Sequence, residues 1–260
     1  MPRKRTLRQL RKILRRKKNP QTTKERVDIF FRVLRKEWFK AIRFLVYFIF
    51  RLWLKKIHNE HNLPKTGPAM IVSNHLSYYD WAVLSAIYWD RYLVFIGNKD
   101  LLNRGFVGWL MKLNFLIFID PTNPGRAFLK ESLTKLKDDN ILVIYPEGTR
   151  SRTGRMLTPK TGFIRIALKT GVPVIPVGMK GTYRILPPHK KFPRLKQCEV
   201  IVGKPILLNY RNPMFRDLFE YNKGKHTLSD EGEVVAARRI MEVIRKMTGQ
   251  DWHDDVPEDC

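Results

Sequence analysis

The stretch Asn74-His75-Leu76-Ser77-Tyr78-Tyr79-Asp80 carries the residue types for proton transfer. A neutral imidazole can take a hydroxyl proton near pH 7, and a carboxylate on its other nitrogen fixes the tautomer and stabilises the imidazolium that forms. His75 and Asp80 can meet if Ser77 caps a helix and Asp80 sits in its first turn, with its carboxylate bent back toward the ring. On their own these residues are better explained as a capping box beside a satisfied loop histidine. A second string, Tyr145-Pro146-Glu147-Gly148-Thr149-Arg150-Ser151, has Pro146 to stop a strand and Gly148 to allow a tight turn. Its Arg150 can present a planar fork of donors to a phosphate. Alone, it reads as a surface turn with an ordinary charged residue.

Both strings follow short apolar runs, and those runs set the frame. Ala69 to Ser73, Tyr92 to Ile96, Phe115 to Ile119, Ile141 to Tyr145, Val172 to Val177 and Glu199 to Val202 are apolar on both faces, which predicts buried strands. Helical spacing falls between them at Trp81 to Tyr88, Arg126 to Lys137 and Phe163 to Thr170. A last helix is predicted from Asp230, capped by Ser229, to Met247 before Gly249. Strands alternating with helices predict an α/β domain: a single mixed, mostly parallel sheet flanked by helices, preceded by an amphipathic helical segment. His75 then stands at the C-terminal end of a strand, where open α/β sheets place ligands.

Together, in this order, the two strings resemble the blocks of the glycerolipid acyltransferases that include the 1-acylglycerol-3-phosphate (lysophosphatidic acid) acyltransferases. That family has an Asn-His block closed by an Asp, and a Pro-Glu-Gly-Thr-Arg block. Phe118-Ile119-Asp120 resembles its middle block, Val172-Pro173-Val174-Ile175-Pro176-Val177 its late strand, and Lys160 with Gly162 its Lys-x-Gly. The likeness runs over residues 60–210. Two departures stand out: Pro121 occupies the place of the usual Arg after Asp120, leaving Arg126 as the nearest cation, and Lys99 comes one place later than the family's lysine.

The resemblance implies acyl transfer from an acyl-CoA or acyl carrier protein thioester to the hydroxyl of 1-acylglycerol 3-phosphate, giving phosphatidic acid. His75 would be the general base and Asp80 its partner. Arg150, with Lys99 or Arg126, would hold the acceptor phosphate; Glu147, Gly148 and Thr149 would shape the loop, and Asn74 and Lys160 complete the expected substrate-binding set. No metal or cofactor is expected beyond the thioester co-substrate. Other lysophospholipids or glycerol 3-phosphate are alternative acceptors within the family. The remaining histidines, His58, His61, His189, His226 and His253, lie in polar or Pro-rich surroundings without metal-ligand spacing. A Gly-x-Ser-x-Gly elbow, the mark of a serine hydrolase, does not occur.

Charge and hydropathy say where such chemistry would take place. Fifty Lys and Arg against 24 Asp and Glu give a net charge of +26 over 260 residues, which calls for an anionic partner. Cations crowd residues 1–18, where Leu7, Leu10, Ile13 and Leu14 keep helical spacing. A second helical region is read from Thr23 to Ile57. Within it, Phe39 to Leu54 carries Lys40, Arg43 and Arg51 among Tyr47, Trp53 and several phenylalanines, too interrupted to span the ~20 residues of a bilayer core. It fits a helix lying in the headgroup plane of an anionic membrane, or one packed on the domain's own core. Directly after the basic start, Asn19 to Asp28 is polar where a secretory signal would have its apolar core, so no cleaved leader is read. The expected division is a membrane-binding segment, 1–58, and a catalytic domain, 59–260, peripheral or monotopic on the cytoplasmic face. Two cysteines, Cys198 and Cys260, exclude a disulfide framework. A nucleic-acid-binding protein would explain the basic arm but neither motif, and nucleic acid is not an expected partner.

Overall fold

The computed structural model describes residues 53–88, 91–98, 117–119, 125–190, 192–222 and 224–253, with Trp38, Phe44, Phe48 and Gly108 as isolated positions. The basic arm, most of the 23–57 helical region, Lys99 and the Asp120-Pro121 pair lie outside the described residues.

In chain order the elements are β1 (Leu54–His58), β2 (Ala69–Ser73), α1 (Asp80–Ile87), β3 (Leu93–Asn98), β4 (Ile117–Ile119), α2 (Gly125–Lys137), β5 (Ile141–Ile144), α3 (Gly162–Thr170), β6 (Val174–Lys180), α4 (Thr182–Ile185), β7 (Cys198–Val202), β8 (Phe219–Asn222), β9 (Lys225–Leu228) and α5 (Asp230–Thr248). Seven strands form one sheet in the order β1-β7-β6-β2-β5-β3-β4. Five of its six neighbouring pairs are parallel; only β6 and β7 run opposite. The sheet is mixed and mostly parallel, as the alternation of strands and helices predicts.

Burial explains why the central strands read as unbroken apolar runs. Every residue of β2 and β5 is buried, because helices cover both faces. Met70, Val72, Leu142, Ile144 and Val174 face a layer made by α2, α3 and α5. Ala69, Ile71, Ile141, Val143, Ile175 and Val177 face the other layer, with Val83, Leu84 and Ile87 of α1. α5 begins where its cap was expected: Ser229 Oγ accepts from Gly232 N at 3.0 Å. Its C-terminal end comes so close to β6 that a Cβ on Gly178 would lie 2.6 Å from Thr248 Cγ2.

Two readings are corrected, and one element lies outside them. Residues 54–57 are not helical but belong to β1, an edge strand parallel to β7. Its Leu-Lys-Lys-Ile-His sequence lacks the apolar signature of a buried strand, since Lys55 and Lys56 face solvent. The β8–β9 hairpin, built around Asn222 and Gly224 with φ +79°, lies outside the elements read from the sequence. Ser77 does not cap α1: the N-cap position falls on Tyr79, without a side-chain cap. Instead Ser77 Oγ accepts from Tyr79 N and donates to Leu186 O at 2.6 Å.

Candidate active site

β2 and β5 are adjacent and parallel, with Ala69 opposite Ile141 and Val72 opposite Ile144. The same offset of 72 residues separates His75 from Glu147, so the two emerge side by side beyond the C-terminal ends of neighbouring strands. His75 N donates to Glu147 Oε1 at 2.7 Å, and Ser151 N donates to His75 O at 2.9 Å. Both backbone groups of the histidine are therefore held by the second loop. Leu157 N donates to the other oxygen of Glu147 at 2.9 Å.

The imidazole is positioned as firmly as its backbone. Asp80 is wholly buried, and its Oδ2 accepts from Leu76 N at 2.7 Å, from Ser77 N at 2.8 Å and from His75 Nδ1 at 2.9 Å. A carboxylate only accepts, so Nδ1 carries the proton and Nε2 keeps its lone pair. The ring stacks on Tyr145, centroids 4.1 Å apart and planes 17° off parallel, and its side chain is 19% exposed, enough for a substrate to reach. An imidazole held this way, its Nδ1 on a buried carboxylate, can serve as a base toward a group that reaches Nε2.

Two further features set the charge of the site. Burial pushes the Glu147 carboxyl up to about 8, against the pull of its two backbone donors and with the Asp80 charge adding to the rise. Burial likewise drives the Tyr145 phenol far above its ordinary value, again with Asp80 contributing. Arg150 lies over the Tyr78 ring, Cζ 3.2 Å from the centroid, which orients the guanidinium as a flat plate beside the histidine loop.

Of the other residues expected here, Gly148 has φ +70°, and a Cβ on it would meet the Lys160 side chain at 3.1 Å. Lys160 thus crosses the turn of the Glu147 loop while its own N–H donates to Pro146 O at 2.9 Å. Thr149 is exposed on the same turn. Asn74 is fully buried; its amide donates to Met179 O at 3.0 Å and to Gln250, and its carbonyl accepts from Met179 N at 2.8 Å. That ties the histidine loop to the end of β6. Arg126 is in the first turn of α2, and Lys99 is outside the described residues. Tyr78, Tyr145, Leu186 and Gln250 were not singled out in the sequence. Tyr145 had the one legible signal, an aromatic residue ending a buried strand just before the Pro-Glu-Gly turn.

A three-layer α/β fold with a His–Asp pair braced by a Glu-Gly-Thr-Arg loop defines the class. A family model described as acyltransferase matches residues 55–180, a range that contains both loops. The 1-acyl-sn-glycerol-3-phosphate acyltransferase of Haemophilus influenzae is 30% identical over 62% of this chain and 70% of its own length. The chain belongs to this acyltransferase family. The chloroplastic 1-acyl-sn-glycerol-3-phosphate acyltransferase of Arabidopsis thaliana is 32% identical over 62% of this chain, and the alpha enzyme of Mus musculus 32% over 58%. The match spans about half the length of these two relatives, 48% and 54%. The fold is shared with the crystal structure of the 1-acyl-sn-glycerophosphate (LPA) acyltransferase of Thermotoga maritima, with TM-score 0.57 and 23% identity over 88% of this chain and 83% of that one.

Proposed function

We propose that this chain is an O-acyltransferase that moves a fatty acyl group from acyl-CoA or acyl carrier protein to the hydroxyl of 1-acylglycerol 3-phosphate. The observation that carries this reading is the outward-facing His75 imidazole, with its tautomer set by buried Asp80 and its backbone held by Glu147 and Ser151. Nε2 takes the hydroxyl proton as the acceptor oxygen attacks the thioester carbonyl. The tetrahedral adduct collapses with loss of the thiolate, which receives that proton from the imidazolium, so the products are phosphatidic acid and free thiol. Asp80 stabilises the imidazolium between the two transfers.

Arg150, stacked on Tyr78 beside this histidine, suits the acceptor phosphate, with Lys160, Arg126 and Lys99 as further cations and Glu147, Gly148 and Thr149 forming the turn that carries Arg150. The segment ahead of β1 would hold the domain, whose sheet starts at Leu54 rather than after residue 58, against the cytoplasmic face of an anionic membrane. The exposed helical residues Trp38, Phe44 and Phe48 support that placement, and no helix among the described residues is long and apolar enough to cross a membrane. The test is a panel of donors against acceptors, read as free thiol and lipid product. Lysophosphatidic acid should lead; a preference for glycerol 3-phosphate or another lysophospholipid would move the acceptor, and no thiol release from any pair would sink the reading.

A further inference from the structure

β1, β7 and the end of β6 meet at one corner of the sheet, and register places that corner at the catalytic end. Ser73, which leads into His75, is opposite Val177 of β6; β6 then runs on to Lys180, opposite Glu199, and β1 starts with Leu54 opposite Cys198. A cavity of about 360 Å³ opens there, lined by Lys55, Lys180, Arg184, Lys196 and the lone carboxylate Glu199, with Leu195 and Gln197 completing the wall. Glu199 is already engaged by Lys55 at 3.2 Å and His58 at 2.8 Å. Among the described residues no carboxylate pairs with Lys180, Arg184 or Lys196.

The connection from α4 to β7, which supplies Leu195, Lys196 and Gln197 to the cavity wall, holds Phe192 and Leu195 in water, 81% and 86% exposed. They do not fray from a loose strand. Arg194 N donates to Ile185 O at 2.8 Å, Trp53 Nε1 donates to Arg194 O at 3.0 Å, and Cys198 N donates to Trp53 O at 2.8 Å. The start of the same connection, Leu186, accepts from Ser77 in the histidine loop.

We propose that this corner is a second lipid-contacting surface, separate in sequence from the N-terminal segment. Lys180, Arg184 and Lys196 would collect anionic headgroups while Phe192 and Leu195 enter the interfacial layer. The proposal rests on the lipid-acyltransferase reading. Charge complementarity selects an anionic bilayer, and the two projecting apolar side chains distinguish a bilayer from a soluble acidic partner, which would meet the cations and leave Phe192 and Leu195 in water. The bond from Ser77 to Leu186 then sets the histidine loop close to the surface from which a lysolipid would arrive.

The test uses the full chain and vesicles of phosphatidylcholine with or without phosphatidylglycerol, free of substrate. Phe192→Ser/Leu195→Ser and Lys180→Glu/Lys196→Glu should each lower partition to anionic vesicles at least about fivefold, with the charge effect fading in salt of about 0.5 M. A polarity-sensitive dye on Leu195→Cys, in a Cys260→Ser chain whose buried Cys198 stays unlabelled, should shift to the blue on anionic vesicles alone. Activity toward a short-chain, monomeric lysophosphatidic acid should stay within about twofold. Unchanged partition with no dye shift would overturn the proposal. So would a raised KM for the acyl donor with unchanged partition, which would assign the cations to an acidic donor. Failure of the unaltered chain to turn over any acceptor would instead strike the enzymatic reading, because vesicle binding is measured without turnover.

Discussion

The β2–β5 centre of the sheet and its β1–β7 edge treat polar groups in opposite ways. At the centre, Asp80 is out of water, Glu147 is 4% exposed, and both accept backbone N–H bonds whose donors lie in the histidine loop or the segment after Arg150. At the edge, Lys55 and Glu199 share a bridge between side chains 61% and 25% exposed, and the neighbouring cations face solvent. Buried acceptors fix a geometry because leaving any donor unpaired costs the full desolvation of that group. Solvated charges fix little but attract an oppositely charged surface at long range. Chemistry that depends on placement sits on the first kind of structure, and capture of a partner suits the second.

Substitutions should separate the two regions by size of effect. Asp80→Asn keeps an oxygen for the three donors but removes the charge that supports an imidazolium, so thiol release should fall about 10²- to 10³-fold with the fold intact; a loss under threefold would erase the distinction drawn for the centre.

Glu147→Gln replaces one accepting oxygen with a donor facing either His75 N or Leu157 N. It should cost about 1–3 kcal/mol of stability, seen in denaturant unfolding. The same residue sets a pH dependence. Its folded carboxyl is raised from 4.5 to about 8, so the folded state holds a proton that the unfolded chain releases. Its stabilising contribution is full below the unfolded value and is lost as pH rises through about 8. Thermal stability should decline over that window, and Glu147→Gln should flatten the decline.

At the edge, Glu199→Gln should move the melting temperature by no more than about 2 °C and leave turnover of a monomeric acceptor unchanged. The bridges to Lys55 and His58 hold its carboxyl below the usual range, the His58 bond first, but in water. A large loss of stability would show that the edge is as tightly determined as the centre.

The same contrast decides what was legible in the sequence. β2, β5 and β6 stood out because burial on both faces demands unbroken apolar runs; β1, with two exposed lysines, did not, and the helical period ahead of it ran on through Ile57. The β8–β9 hairpin is mostly exposed and small, so no apolar pattern announced it. His75 and Asp80 could be paired because five positions bring them together locally. The hold of Glu147 on the His75 backbone could not be read, since it depends on which strand neighbours β2 and in what register. Once β2 is laid on β5, the 72-residue offset makes that contact follow. Ser77 was misread as a cap because its real partner, Leu186, is 109 residues away.

In the proposed reaction His75 Nε2 takes the acceptor's proton. The most direct test of that step is thiol release by purified His75→Ala with lysophosphatidic acid and an acyl thioester, alongside circular dichroism to confirm the fold. Release should drop to the level of a control without enzyme, while the spectrum and vesicle binding stay those of the unaltered chain. Activity within about threefold of the unaltered chain, in a folded variant, would mean that another group removes the proton.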